Sequence, residues 1–191
     1  MHIQLLKERK SIRLSNYDYS QNGLYYITIC TKNRECILGE IRNGEIILSE
    51  FGKIANNCWV DIPKHFSQVS LHEFVLMPNH IHGILEINIV GAKHLSPSNY
   101  FKRVYNDLRA NNDLPLRHGT SQTIGSIIRG FKIGVTKQIG FSSWQRNHYE
   151  HIIQSDIEYS KIANYIVNNP LKWGNDNFNE KQSPPPSSRQ N

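Results

Sequence analysis

His80 and His82 stand two residues apart in the segment HIHGIL, and this spacing could build a metal site. On a β-strand, side chains at positions i and i+2 point to the same face, so the two imidazoles would converge while Ile81 faces the other side. Two imidazoles on one face can bind a single divalent ion. The same spacing also fits a pair of exposed or hydrogen-bonded strand histidines, and with nine histidines in the chain the pattern alone has little specificity.

Tyr165 and Asn169 lie one turn apart on the last helix that the sequence predicts, over residues 155–169. At about 100° per residue, both fall on the flank of the apolar stripe of this helix. A tyrosine needed only for packing would lie within the stripe, whereas Tyr165 lies beside a carboxamide and could reach a neighbouring site. The alternative is a boundary tyrosine with its hydroxyl in water. The stripe itself consists of Tyr159, Ile162, Ala163 and Ile166.

The elements that must position these side chains follow from the spacing of apolar residues. Runs of β-branched and aromatic residues predict strands over 24–31, 69–77, 80–89 and 144–153, and Asn43-Gly44 predicts a hairpin over 41–48. Helical spacing predicts helices over 51–62, ending at Pro63, over 123–139, and over 155–169, where Ser155 and Glu158 form a capping box. This order predicts an α+β fold with a mostly antiparallel sheet and helices packed on it.

Length and composition predict one domain over residues 1–180, with an irregular loop insertion over 88–119 and a disordered tail over 181–191. The formal net charge of +6 favours a polyanionic partner, because basic side chains displace the counterions condensed on phosphates. The sequence contains no long uncharged apolar run and no secretory signal, and its three cysteines lack CxxC spacing. We therefore expect a cytoplasmic protein without a disulfide framework.

Three ordered motifs are MPNHIHGIL at 77–85, WQRNHYEHII at 144–153 and YSKIANYIVNNPLKW at 159–173. Together with the opening residues 9–35, they resemble the HUH single-tyrosine transposases, and most closely the REP-associated tyrosine transposases and related insertion-sequence proteins. The resemblance implies a ferredoxin-like α+β domain whose central strand carries the two histidines as the HUH motif. It places the nucleophile at Tyr165 and the third metal ligand at Asn169, where insertion-sequence relatives have glutamine.

The sequence departs from that family's pattern at two positions. His148 precedes Tyr149 where relatives often have an aromatic residue, and Gln154 follows HII where they often have arginine. Neither departure involves the proposed catalytic residues, although Gln154 weakens the case for a phosphate contact at that position.

The activity that the resemblance implies is DNA transposition, in which a transposase cleaves and rejoins single-stranded DNA through a 5′-phosphotyrosine intermediate. A ligand set of two imidazoles and one carboxamide suits Mg²⁺ or Mn²⁺. The expected partner is single-stranded DNA with a hairpin or palindrome, bound by a monomer or homodimer in the bacterial nucleoid, with no membrane partner. The candidate DNA-binding residues are Arg9, Lys10, Arg13, Tyr17, Arg129, Lys132, Lys137, Arg146 and His151.

Two other functions fit part of the pattern. A metal phosphoesterase could use the histidine pair with a water nucleophile, although the chain lacks the multiple aspartates that a two-metal hydrolase usually requires. A catalytically inactive or host-adopted derivative could bind nucleic acid on the same fold. A covalent complex between the protein and DNA separates the transposase from both, because neither alternative forms one.

Overall fold

The computed structural model of this protein describes residues 22–88, 123–176 and 178–179. Several of the sequence predictions lie outside these residues. They are the basic, aromatic N-terminal segment with Arg9, Lys10, Arg13 and Tyr17, nearly all of the predicted loop insertion over 88–119, and the predicted tail over 181–191.

Four strands form one antiparallel sheet in the order β4-β5-β1-β6. In chain order they are β1 (Gly23–Cys30), β4 (Val69–Met77), β5 (His80–Ile87) and β6 (Tyr149–Ile153). A separate hairpin, β2 (Gly39–Arg42) and β3 (Glu45–Leu48), turns at Asn43 and Gly44 as predicted; both have positive φ. The strand order is that of a ferredoxin-like sheet, so the predicted fold class is confirmed, with the histidines on the interior strand β5.

Within the described residues, four α-helices pack on this sheet: α1 (Glu50–Val60), α2 (Ile62–His65), α3 (Ile124–Ile139) and α4 (Asp156–Asn168). Short 3-10 helices span Lys32–Arg34 and Pro170–Asn175. The longer helices begin where the side chains of Ser49, Thr123 and Ser155 accept backbone N–H groups of the first turn, which satisfies donors that would otherwise be unpaired. In the described part of the chain, no helix has the length and apolar character needed to cross a membrane.

Two predicted boundaries are wrong. Pro63 does not end the helical segment; it lies in the first turn of α2, where a missing N–H costs nothing and a fixed φ suits the helix. The predicted strand over 144–153 forms only from Tyr149 onward, and its first part makes a single bridge between Trp144 and Thr31. Residues 145–148 are irregular in structure and contribute to the wall of the cleft described below.

The strand alternation gives the sheet two different faces. On one face Tyr25, Ile27 and Ile81 pack into the main apolar core with α1 and α3. On the other face Leu24, Ile84 and Ile153 pack under α4, around the buried Ile166. All eight residues of β5 are buried, because both of its faces are covered. The even-numbered β5 residues, including the histidine pair, therefore lie on the α4 side.

Position 83 requires glycine because the side chains of the main core lie close to its backbone. A Cβ added at Gly83 would collide with the Trp59 ring, which is fully buried. We expect Gly83→Ala to lower the free energy of unfolding by about 1–3 kcal/mol through overpacking, measured by urea denaturation. Gly134→Ala is the matched control: its Cβ would meet only the Cys58 Sγ at 3.7 Å, so the helix should be unchanged or stabilised. Equal effects of the two substitutions would contradict the packing argument.

Candidate active site

The two imidazoles of β5 lie side by side beneath α4. His80 pairs across the sheet with Cys30 and His82 with Thr28, and the two ring centroids are 4.5 Å apart. Both side chains are almost completely buried, at 0% and 1% exposure. The expected convergence of the histidines on one face is therefore what the structure has.

His80 has one nitrogen in a hydrogen bond and one without a partner. Its Nδ1 lies 2.8 Å from Oδ1 of Asn79. Its Nε2 is buried and, among the described residues, has no hydrogen-bond partner. The rings of Phe178 and Trp173 pack beside it. Burial, with smaller contributions from His82 and Arg34, lowers the pKa of His80 to about 2, so the imidazole is neutral and its free nitrogen is a lone-pair acceptor.

His82 connects the sheet to the last helix. Its Nδ1 lies 2.8 Å from the Tyr26 hydroxyl and 2.9 Å from the Thr28 hydroxyl, both on the neighbouring strand β1. Its Nε2 lies 3.3 Å from the Tyr165 hydroxyl on α4. Burial lowers the pKa of His82 to about 3, so this imidazole is also neutral. Three of the four ring nitrogens of the histidine pair thus have a hydrogen-bond partner. The exception among the described residues is Nε2 of His80.

Tyr165 is half-exposed and reaches the site from the flank of α4. Its ring centroid is 5.3 Å from that of His82, and 39% of the residue is accessible to solvent. Burial and the negative charge of Asp176 raise the pKa of the Tyr165 hydroxyl, while a hydrogen bond with the Asn169 side chain opposes them. This position on the flank of α4, outside the apolar stripe, is the one that the helical spacing predicts.

Asn169 completes the cluster at the end of α4. It is 1% exposed, and its Oδ1 is buried without a hydrogen-bond partner among the described residues. Helix α4 stops here because Pro170 cannot continue the ladder, and Pro170 starts the following 3-10 helix. His80, His82, Tyr165 and Asn169 therefore form one continuous group of side chains, as the sequence predicts.

The unpartnered atoms of this group suit a cation. Nε2 of His80 and Oδ1 of Asn169 are both acceptors, and burying an acceptor without a donor is costly unless something positive binds it. Across residues 22–88, 123–176 and 178–179, no cluster of three or more His, Cys, Asp or Glu side chains could hold a metal. A site built on this cluster would combine the carboxamide of Asn169 with the two imidazoles.

A cleft of about 410 Å³ opens beside the cluster. Strand β1 contributes Tyr26 and Thr28 to it, and β5 contributes His82. Tyr165 lines it from α4, and the irregular segment 145–148 with Tyr149 lines it from the edge of the sheet. The Tyr165 hydroxyl is thus accessible from a space large enough for a small polar ligand, with aromatic rings on its walls.

None of the candidate DNA-binding residues in the described part of the chain is among the residues that line this cleft. Arg129 and Lys137 are exposed, but they lie on α3, which covers the opposite face of the sheet. Arg146 is exposed in the irregular segment, and His151 lies 2.7 Å from a carboxylate oxygen of Glu158.

Lys132 has a structural role that its sequence position does not indicate. Its Nζ donates to the backbone carbonyls of Gln145 and Asn147, each at 2.9 Å, and lies 3.4 Å from that of Arg146. Burial lowers the pKa of Lys132 to about 8. The ammonium therefore holds the irregular cleft segment in place, and its hydrogen bonds are directed to the protein.

Sequence reasoning missed several residues that shape the site. Tyr26 and Thr28 could have been noticed, because they lie two residues apart and therefore on one face of the first predicted strand. Tyrosine and threonine are also common strand residues, so their presence in LYYITICT does not by itself indicate a site. Asn79 could have been noticed beside His80 in PNHIH. Asp176 and Phe178 follow the last predicted helix, and nothing in their spacing indicates that the chain turns back over the imidazoles.

The comparisons with known proteins agree with this fold. No protein-family model matches the chain. It is 46% identical over 178 residues to an uncharacterized protein of Haemophilus influenzae, across 90% of this chain and 93% of that protein. A second protein of that organism, named "putative REP-associated tyrosine transposase", is 23% identical over 164 residues, or 84% of this chain and 78% of that protein.

Two solved structures are also similar. A REP-associated tyrosine transposase, solved bound to a REP hairpin, has a TM-score of 0.54 and 18% identity, covering 84% of this chain and 75% of that one. A putative transposase from Deinococcus radiodurans has a TM-score of 0.40 and 13% identity, covering 82% and 95%.

The fold of this chain, with its four-stranded antiparallel sheet, is similar to that of the solved REP-associated tyrosine transposase. The chain belongs to the same family as the uncharacterized Haemophilus influenzae protein, and its distant homologue and its structural neighbour indicate the REP-associated tyrosine transposases. The resemblance expected from the three sequence motifs is thereby confirmed.

Proposed function

We propose that this protein is a metal-dependent tyrosine transposase that cleaves and rejoins single-stranded DNA, with Tyr165 as nucleophile. One observation carries the proposal. The Tyr165 hydroxyl lies 3.3 Å from His82 Nε2 within a single chain, beside buried acceptors of His80 and Asn169 that have no hydrogen-bond partner in the described part of the chain. A phenol intended only for packing would not be held at the open edge of such a cluster.

The two histidines and Asn169 are the residues that would hold a divalent metal ion, Mg²⁺ or Mn²⁺. Such an ion, when bound, supplies positive charge that stabilises the phosphate and the leaving oxygen. All three ligand side chains are neutral, because burial keeps both imidazoles unprotonated and a carboxamide does not ionise. The ligands therefore leave the full charge of the ion available to an anionic substrate.

Tyr165 would carry the covalent chemistry. Its oxygen attacks the phosphorus of a phosphodiester, the bond to the 3′ oxygen breaks, and the phenol proton is balanced by protonation of that oxygen to a 3′-OH. The product is a 5′-phosphotyrosine, which keeps the free energy of the phosphodiester. A second 3′-OH can then attack the phosphotyrosine, release the phenol and reseal the strand. No nucleotide triphosphate is needed.

Single-stranded DNA is the substrate that the cleft suits. Unpaired nucleotides bind by phosphate neutralisation together with stacking on aromatic rings, and Tyr26 and Tyr149 both line the space beside Tyr165. The net charge of +6 favours a polyanion. A structurally similar protein was solved with a REP hairpin, which supports a hairpin as the form of DNA recognised here.

Tyr149 provides a test of the DNA-binding cleft. We expect Tyr149→Ala to weaken binding of a single-stranded oligonucleotide by about 1–3 kcal/mol because a stacking surface is removed, measured by fluorescence anisotropy at constant salt. Phe141→Ala is the matched control, since Phe141 is 45% exposed, Tyr149 is 47% exposed, and Phe141 packs on Phe51 instead of lining the cleft. If both substitutions weaken binding equally, stacking in the cleft is not the cause.

The proposed function is tested by incubating the protein with hairpin-containing single-stranded DNA and Mn²⁺, followed by a denaturing gel. A transposase of this type gives a protein–DNA band that survives denaturation, together with a free 3′-OH fragment. A phosphoesterase with a water nucleophile gives cleaved DNA and no such band. A derivative that only binds nucleic acid gives a salt-sensitive complex and intact DNA, and either of these results would contradict the proposal.

A further inference from the structure

The orientation of the Asn79 carboxamide is fixed by its surroundings. Its Nδ2 donates to the backbone carbonyl of Arg34 at 3.0 Å and to that of Phe178 at 2.7 Å. Rotating the amide by half a turn would bring Oδ1 against two carbonyl oxygens, and none of the three atoms could donate. The oxygen of Asn79 must therefore face Nδ1 of His80, 2.8 Å away.

This orientation determines which nitrogen of His80 carries the proton. A carboxamide oxygen only accepts, so Nδ1 must be the donor. A neutral imidazole has a single N–H, which leaves Nε2 as a bare lone pair. That atom is indeed buried without a hydrogen-bond partner among the described residues, as an unprotonated ligand nitrogen would be.

His82 differs from His80 in this respect. Its Nδ1 faces the hydroxyls of Tyr26 and Thr28, and its Nε2 faces that of Tyr165. A hydroxyl can donate or accept, so both tautomers of His82 find partners. Of the two imidazoles, the surrounding groups fix the tautomer of His80 alone.

We propose that Asn79 is a positioning residue that locks His80 in the Nδ1–H tautomer and so keeps Nε2 permanently ready to bind a divalent cation. The cation part rests on the proposed function, whereas the tautomer does not. The same amide also ties the turn at Arg34 and the residue Phe178, whose ring packs on His80, to the start of β5. The Asn79 side chain thus determines which nitrogen of His80 is protonated and also holds Phe178 against the imidazole.

The tautomer can be measured on the metal-free, full-length wild-type protein. Long-range ¹H–¹⁵N correlation spectra of histidine-labelled protein distinguish a protonated Nδ1 from a protonated Nε2. We expect His80 to be entirely in the Nδ1–H form. A spectrum with His80 protonated at Nε2, or averaging between the two forms, would overturn the proposal without bearing on Tyr165.

A second test measures the affinity for Mn²⁺ by isothermal titration calorimetry. Asn79→Ala should raise the Kd for Mn²⁺ by about 10- to 100-fold, as loss of a residue that orients a metal-binding histidine typically does. Thr28→Val is the matched control, because the Tyr26 hydroxyl still reaches His82 Nδ1, so its effect should be the smaller. An unchanged Kd in Asn79→Ala would overturn the positioning role. Failure of the wild type to form a DNA adduct would instead contradict the proposed function, and the NMR result would still decide the tautomer.

Discussion

Replacing Tyr165 with phenylalanine should abolish the covalent protein–DNA complex and reduce strand cleavage by about 10³-fold or more, because the attacking oxygen is removed. The fold should remain intact, since the ring is retained, the residue is 39% exposed, and the hydroxyl lies 3.3 Å from His82 Nε2 at the open edge of the cluster. A hydrogen bond of this kind contributes about 0.5–1.5 kcal/mol to stability. Binding of single-stranded DNA should persist, since it depends on the cleft walls and on charge.

Tyr159→Phe is the control for this experiment. Tyr159 lies on the same helix, but its hydroxyl donates to Glu73 at 2.6 Å and lies near His72, away from the histidine pair. Removing the Tyr159 hydroxyl should change the free energy of unfolding, while the covalent protein–DNA complex still forms. The measurement is a denaturing gel of both variants with end-labelled hairpin DNA and Mn²⁺. Normal cleavage by Tyr165→Phe would end the assignment of this residue as nucleophile.

The parts of the fold that were predictable are those set by local periodicity. The period of two on β5 places His80 and His82 on one face whatever the rest of the chain does, and the helical period places Tyr165 outside the stripe of α4. The turn at Asn43-Gly44 is predictable because these two residue types tolerate the positive φ that a tight hairpin needs, and both have positive φ in the structure. Local chemistry is enough in each of these cases.

The missed features depend on residues that are distant in sequence. Lys132 reads as a free surface cation on a helix, yet it is held by backbone carbonyls of a segment 13 to 15 residues later. Phe178 covers His80 from nearly a hundred residues away, through a hydrogen bond between its carbonyl and Asn79. Backbone acceptors carry no side-chain identity, so sequence patterns cannot indicate which cation or amide they will bind.

Metal binding itself should be visible as a change in stability. A ligand that binds only the folded state stabilises it by RT ln(1 + [L]/Kd), which is about 2.7 kcal/mol at a hundred times the Kd. We expect Mn²⁺ to raise the Tm of the wild type and to leave that of His80→Ala unchanged, because this substitution removes the one imidazole nitrogen of the pair that has no other partner among the described residues. Differential scanning calorimetry with and without Mn²⁺ measures both.

His72→Ala separates the metal site from histidine content in general. His72 lies under the same helix, with its nitrogens near the Tyr159 hydroxyl and a carboxylate oxygen of Glu86. It is bound to groups outside the cluster, so its removal should change the Tm of the metal-free protein but preserve the increase with Mn²⁺. If His80→Ala keeps the Mn²⁺-dependent increase, or His72→Ala abolishes it, the ion binds elsewhere.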